Sequence, residues 1–200
     1  MHSELLSTAA IGCLLTLSQA SCSSDSNTSE EQLDAAARDG VGEAEHRCVA
    51  DVIEPDLAMG PMGGSAVDEQ TGFYRLEQGQ EVVVSSTYGV PKPDATGGGL
   101  PPHYQDLMGR IIEQLQTQPG LLAVQLGGSA SCNSGRTLAV WESEELMYDF
   151  VMSAPHLEAM SSAQQLLQPG YAVTHWSART QDEMSLEAAA DHLSNKLERQ

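Results

Sequence analysis

The stretch Thr137–Met160, TLAVWESEELMYDFVMSAPHLEAM, constrains this chain more than any other. Thr137–Trp141 joins β-branched, small and aromatic residues and reads as a short buried strand. Ser143 stands where a helix N-cap belongs. Glu144 and Glu145 fall in the first turn, where the helix dipole favours acid. Leu146, Met147, Phe150 and Val151 recur at helical spacing and make one apolar face. Pro155 must end that helix or restart it at a new angle, and His156 follows at once.

The flanking sequence supplies the other elements of one domain. Glu81–Tyr88, EVVVSSTY, alternates as a strand, with Val82, Val84 and Ser86 on one face and Val83, Ser85 and Thr87 on the other. Gly89–Pro102 is an extended loop, and its glycines lack the pattern of a phosphate cradle. Tyr104, Leu107, Met108, Ile111, Ile112 and Leu115 make an amphipathic helix that opens at Pro102 and ends near Gly120. Leu121–Leu126 is the next strand, and Gly127–Arg136 is a long hairpin tip leading into Thr137–Trp141. Beyond His156 a second helical piece runs to about Leu167. Tyr171–Ser177 is the last strand, with Tyr171, Val173 and His175 on one face. Thr180–Gln200 reads as a helix with Thr180 and Glu183 at capping-box spacing.

The order is β-α-β-β-α-β. It predicts an α+β, ferredoxin-like antiparallel sheet with helices on one face, plus an extra C-terminal helix over 179–200. The other sheet face must be covered or polar, and in this order a homodimer packing sheet on sheet commonly covers it.

The N-terminal part reads differently. Leu5–Leu17 has the length of a signal-peptide apolar core, and Ser18-Gln19-Ala20 offers a small-x-small cleavage site. Residues 1–21 are therefore expected to be a signal peptide and 22–71 an acidic tether and loop, with the domain proper over 72–178. Cys22, followed by SSDSNTSEE, is the expected lipidation site, although the leader lacks Lys and Arg and Gln19 replaces the usual aliphatic residue. The expected location is the periplasm or envelope, with the membrane engaged only through a lipid anchor. Cys48 and Cys132 then remain as a pair able to close a disulfide in an oxidising compartment.

Net charge is −19, which excludes nucleic acid and anionic membrane surfaces as electrostatic partners. No CxxC, HxH or HxxxH spacing supports redox or metal chemistry, so no metal site is expected. The serines of the hairpin tip lack a GxSxG frame, and Glu144 and Glu145 point apart on their helix.

Thr137–Met160, closed by YAVTHWSA, resembles the dimeric α+β barrel superfamily, nearest to its antibiotic-biosynthesis-monooxygenase-like members. Trp141, Glu142, Glu144, Phe150, Ser153 and His156 carry the resemblance. It implies a homodimer through the sheet face and a pocket between sheet and helices for a small apolar or aromatic ligand. Cofactor-independent members oxidise phenolic, anthrone-like substrates there. His156 would be the base, and Trp141, Tyr148, Phe150, His175 and Tyr88 the donors or walls. Heme-degrading relatives place their axial histidine where this chain has Met160 and their ruffling tryptophan where it has Phe150. Both departures argue against heme degradation. Heme ligation through His156 and Met160, four residues apart, is a further reading. The alternative to an enzyme is a non-catalytic exported lipoprotein that binds a small apolar ligand or only assembles. There His156 is a structural residue at the helix break.

Overall fold

The computed structural model describes residues 48–197, apart from 69–75, 78 and 98. The signal peptide, Cys22 and the tether over 22–47 lie outside the described residues, as does the expected domain start at residue 72. Five strands form one antiparallel sheet: β1 (Ala58–Met59), β2 (Val82–Gly89), β3 (Leu121–Ser129), β4 (Ser134–Trp141) and β5 (Ala172–Ala178). Their order across the sheet is β1-β3-β4-β2-β5. The helices are α1 (Pro102–Leu115), α2 (Glu144–Val151), α3 (Ala154–Leu166) and α4 (Leu186–Leu197). The protein is an α+β fold with the split βαβ order of ferredoxin-like domains.

Helices α1, α2 and α3 pack on one sheet face. Leu107 and Ile111 of α1, Met147 and Phe150 of α2 and Leu166 of α3 meet Val83, Leu121, Ala139 and Trp141. The break between α2 and α3 follows from Pro155, which cannot donate to the preceding turn. Ser143 caps α2 by accepting from the Leu146 N–H at 3.3 Å. Helix α1 ends at Leu115, and the chain turns into β3 through Gly120 at φ +75°, with the Leu146 side chain packed where a Cβ would sit. That position admits glycine on both counts.

The opposite face is covered by the chain itself. Met184, Leu186 and Ala189 lie over Val82, Val84, Trp176 and Ala178. The Trp176 indole donates to the Glu183 carbonyl at 2.8 Å and stacks on His192 at 4.7 Å. Residues 58–66 run along β3 as an edge, with Gly60, Gly63 and Ala66 N–H groups donating to Leu126, Val124 and Leu122. Ala66 and Val67 are buried there. The resemblance places a partner's sheet on this face; here the N-terminal arm, residues 48–67, and α4 occupy it.

The arm is held at its start by a buried clasp. Arg136, on β4, is 1% exposed and its Nε donates to Glu54 at 2.7 Å. Its Nη atoms donate to the Ala50 carbonyl at 2.9 Å and the Val52 carbonyl at 2.6 Å. Ser134 also donates to Glu54. Cys48 and Cys132 form a disulfide with Cα atoms 5.4 Å apart. Ser129, Ser131 and the Ser131 N–H all donate to Asp56, which holds its carboxyl well below the usual range.

Three boundaries depart from the sequence reading. Residues 48–67, placed within the tether and loop although the apolar Cys48–Ile53 patch with its cysteine could lie on the domain, belong to the folded unit: the Cys48–Cys132 bridge, a buried ion pair and edge pairing anchor them where side-chain periodicity is absent. The long hairpin tip is short: β3 and β4 pair out to Ser129 and Ser134, and Asn133 takes the left-handed turn conformation at φ +49°. Helix α4 starts at Leu186, with Ser185 accepting from the Ala188 N–H at 3.1 Å. Glu183 reaches back to the Thr180 N–H at 3.0 Å, so that half of the box serves a 3-10 turn at Asp182–Met184 instead.

Candidate functional site

His156 is the third residue of α3, just after the α2–α3 break. Its ring meets Phe150 edge-on, with centroids 4.8 Å apart. Phe150 in turn stacks on Trp141 at 5.3 Å. The Trp141 side chain is 1% exposed, and its Nε1 donates to Ser85 Oγ on β2 at 2.9 Å. Ser85 lies directly opposite His175 of β5 in the register. His175 meets Tyr148 edge-on at 6.0 Å, and its Nε2 stands 3.6 Å from Glu144. Trp141 and Phe150, both buried, and the half-buried His156 therefore form an aromatic run on the helix-covered face. Tyr148 and His175 form its exposed margin near β5.

The polar groups divide sharply. His156 Nδ1 and Ser153 Oγ are buried and have no hydrogen-bond partner. Burial pushes His156 below its ordinary value of 6.5, against an opposing pull from the Val151 backbone. The N-terminal turn of α3 adds to this, since the dipole there disfavours a cation. His156 is thus a neutral imidazole at physiological pH with an unclaimed nitrogen. Such a ring accepts a proton from a hydroxyl placed against it. On the same sheet face, Thr87 and Thr137 share a 2.7 Å hydrogen bond.

Tyr88 does not join this group. It sits opposite Arg136 on the other sheet face, with the guanidinium 4.5 Å above its ring. Burial, with Glu54, pushes its phenol up against the effect of Arg136. The reason is strand parity: Tyr88 shares the side of Val82, Val84 and Ser86. Met160 is exposed on α3, whereas His156, one turn earlier, is half-buried against Phe150. Ser85 is the residue of this group to which the sequence reading gave no role, and Ser153 entered it only among the residues that carry the resemblance. The signal for Ser85 was its place on the Val83–Thr87 side of β2, under the helices.

Among the described residues no group of three or more His, Cys, Asp or Glu side chains is placed to hold a metal ion. Among them, too, no helix is long and apolar enough to cross a membrane. No protein-family model matches the chain, and no curated protein matches it. Among solved structures, Rv0793 from Mycobacterium tuberculosis is 20% identical over 48% of this chain and 92% of its own, with a TM-score of 0.40. SnoaB, a cofactor-independent oxygenase from Streptomyces nogalater, is 19% identical over 50% of this chain and 95% of its own, with a TM-score of 0.37. A Nitrosomonas europaea protein named as a candidate antibiotic biosynthesis monooxygenase is 14% identical over 52% and 94%, with a TM-score of 0.41. No activity is taken from these likenesses.

Proposed function

We propose that this chain is a monooxygenase-type enzyme for a small phenolic or enolisable aromatic substrate, working without a cofactor. One observation carries the reading: His156 presents a neutral, buried ring nitrogen without a partner beside the Phe150–Trp141 stack. His156 takes the substrate's hydroxyl proton. The anion so formed is itself the electron donor to oxygen, so the chain needs to supply only a base, an apolar wall and donors. Phe150 and Trp141 supply the wall, and the Ser153 hydroxyl is the nearest uncommitted donor in sequence. We further propose an exported protein, anchored through Cys22, in keeping with the leader and with the Cys48–Cys132 bridge. We infer that any homodimer uses a surface other than the sheet face covered by α4.

One observation favours a second reading. His156 Nδ1 has almost no solvent-accessible surface, as expected of a structural histidine in a non-catalytic protein. The two readings separate in oxygen-uptake assays with anthrone and its hydroxylated derivatives. The enzyme reading predicts uptake by wild type that is lost in His156→Ala and Trp141→Phe, with the circular dichroism spectrum kept. The structural reading predicts a lower melting temperature for His156→Ala and equal oxygen uptake in both proteins.

A further inference from the structure

Strand β2 carries two successive serines that face opposite ways. Ser86 is buried on the side of the arm and α4, and donates to the Thr137 carbonyl at 2.8 Å. Ser85 is half-buried on the helix side, where its Oγ accepts from Trp141 Nε1 at 2.9 Å. The proton of Ser85 itself meets no acceptor among the described residues. Its neighbours across the sheet leave it accessible. On one side stands Ala139, too small to cover it, and on the other His175, whose side chain is 44% exposed. Further along β2, Thr87 is half-buried as well and bonds to Thr137. On the opposite face the same two strands are closed, with Ser86, Tyr88, Arg136 and Leu138 all buried. The accessible stretch is therefore on the helix side.

An indole N–H can only donate, so Trp141 fixes the role of Ser85. The hydroxyl gives a lone pair to the indole, and its proton turns away from it. A hydroxyl that already accepts is polarised into a better donor, since hydrogen bonds in a chain reinforce one another. Such a donor suits an oxygen that carries negative charge, because hydrogen bonds to ionised acceptors are roughly twice as strong as neutral ones. A phenolate or enolate is the form proposed to react here. A serine that served only to satisfy the indole would need no opening beside it.

We propose that Ser85, backed by Trp141, donates a hydrogen bond to an oxygen of the aromatic substrate. The inference rests on the reading of this face as a site for a phenolic or enolisable ligand, and adds to it a group that holds the anion. No bond is made or broken at Ser85: its proton stays on Oγ, and the substrate's proton goes to His156. The ligand class narrows accordingly. A bare aromatic ring leaves Ser85 unused, whereas a ring bearing a phenolate or carbonyl oxygen completes the chain from Trp141 through Ser85.

1-Naphthol and naphthalene are the probes, a pair that differs by one oxygen. Each is titrated into the full chain, and the two indole N–H protons are followed by NMR. Trp176, on the other sheet face and bonded to the Glu183 carbonyl, is the internal reference. Naphthalene reports the ring-current effect of an aromatic ligand, and any additional movement with 1-naphthol reports the hydrogen bond. The expected result is a saturable downfield shift of the Trp141 signal with 1-naphthol beyond that with naphthalene, while the Trp176 signal stays in place. Ser85→Ala should weaken 1-naphthol binding about five- to tenfold, the worth of one hydrogen bond, and leave naphthalene affinity unchanged. Ser85→Thr keeps the hydroxyl and should restore most of the loss. The inference alone is overturned if 1-naphthol binds but moves the Trp141 proton no further than naphthalene does. It is equally overturned if Ser85→Ala keeps the full preference for 1-naphthol. If neither probe binds the wild type, the inference falls together with the reading it rests on.

Discussion

Glu54→Ala tests how firmly the arm belongs to the fold. Both side chains of the Glu54–Arg136 pair are fully buried. The substitution removes the 2.7 Å acceptor of Arg136 Nε and the acceptor of Ser134, and leaves a guanidinium buried among backbone carbonyls. Breaking a buried pair by removing one partner costs about 3–5 kcal/mol. At about 2–4 °C per kcal/mol for a chain of this size, a 4 kcal/mol loss lowers the melting temperature by about 8–16 °C. Urea unfolding followed by tryptophan fluorescence gives the free energy directly. The double variant Glu54→Leu/Arg136→Met should recover only part of the loss. It removes the stranded charge, but it also leaves the Ala50 and Val52 carbonyls without their Arg136 donor. A cost below about 1 kcal/mol for Glu54→Ala would refute the reasoning, because only a solvated, exposed pair is that cheap to break.

Further consequences follow from the same geometry. Cys48→Ser opens a bridge between residues 84 apart, which should cost on the order of 4–5 kcal/mol in the chain-entropy account; dithiothreitol should lower the wild-type melting temperature by a matching amount and leave the variant unchanged. A stop at Ser185 removes α4 and uncovers Trp176, Ala178 and Val84, so sedimentation should detect self-association; a monomer with an unchanged melting temperature would contradict the packing of α4. The folded-state value of His156 is lowered, so the unfolded chain binds the extra proton first as pH falls. Its contribution to stability is complete above about 6.5 and is lost as pH falls from there towards the lowered folded value. Glu158 and Glu183 are also lowered, but from 4.5, so their loss comes at more acid pH. His156→Gln should flatten the slope just below 6.5 and leave the acid limb intact, as read by urea midpoints at stepped pH.

Much of the fold was legible because periodicity carries it. The apolar spacing of α1 and the cap, acidic turn and apolar face of α2 each state a local structure that packing leaves unchanged. The grouping of Trp141, Phe150 and His156 was legible for the same reason: they sit on the strand and helices of one continuous stretch. The arm was not legible. Its strand is two residues long; the Cys48–Cys132 bridge was expected, but the buried contact with Arg136 across the chain is a partner that no local pattern names. Tyr88 shows an error of a different kind. Alternation along β2 put it on the side of Val84, away from the helices, yet its aromatic ring suggested a pocket wall. Ser85 was the converse, a small polar residue on the correct side that becomes meaningful only when Trp141 donates to it.

The central claim is that His156 is a neutral, half-buried base whose ring responds to a phenolic ligand. It is tested most directly by a pH titration of the nitrogen-15-labelled imidazole by NMR, with and without a phenolic ligand such as hydroxyanthrone. The account predicts a midpoint below 6.5 in the free protein, and a shift of the His156 ring signals on ligand addition that is absent in Trp141→Phe. A midpoint at or above 6.5, with no response of the ring to the ligand, would contradict it.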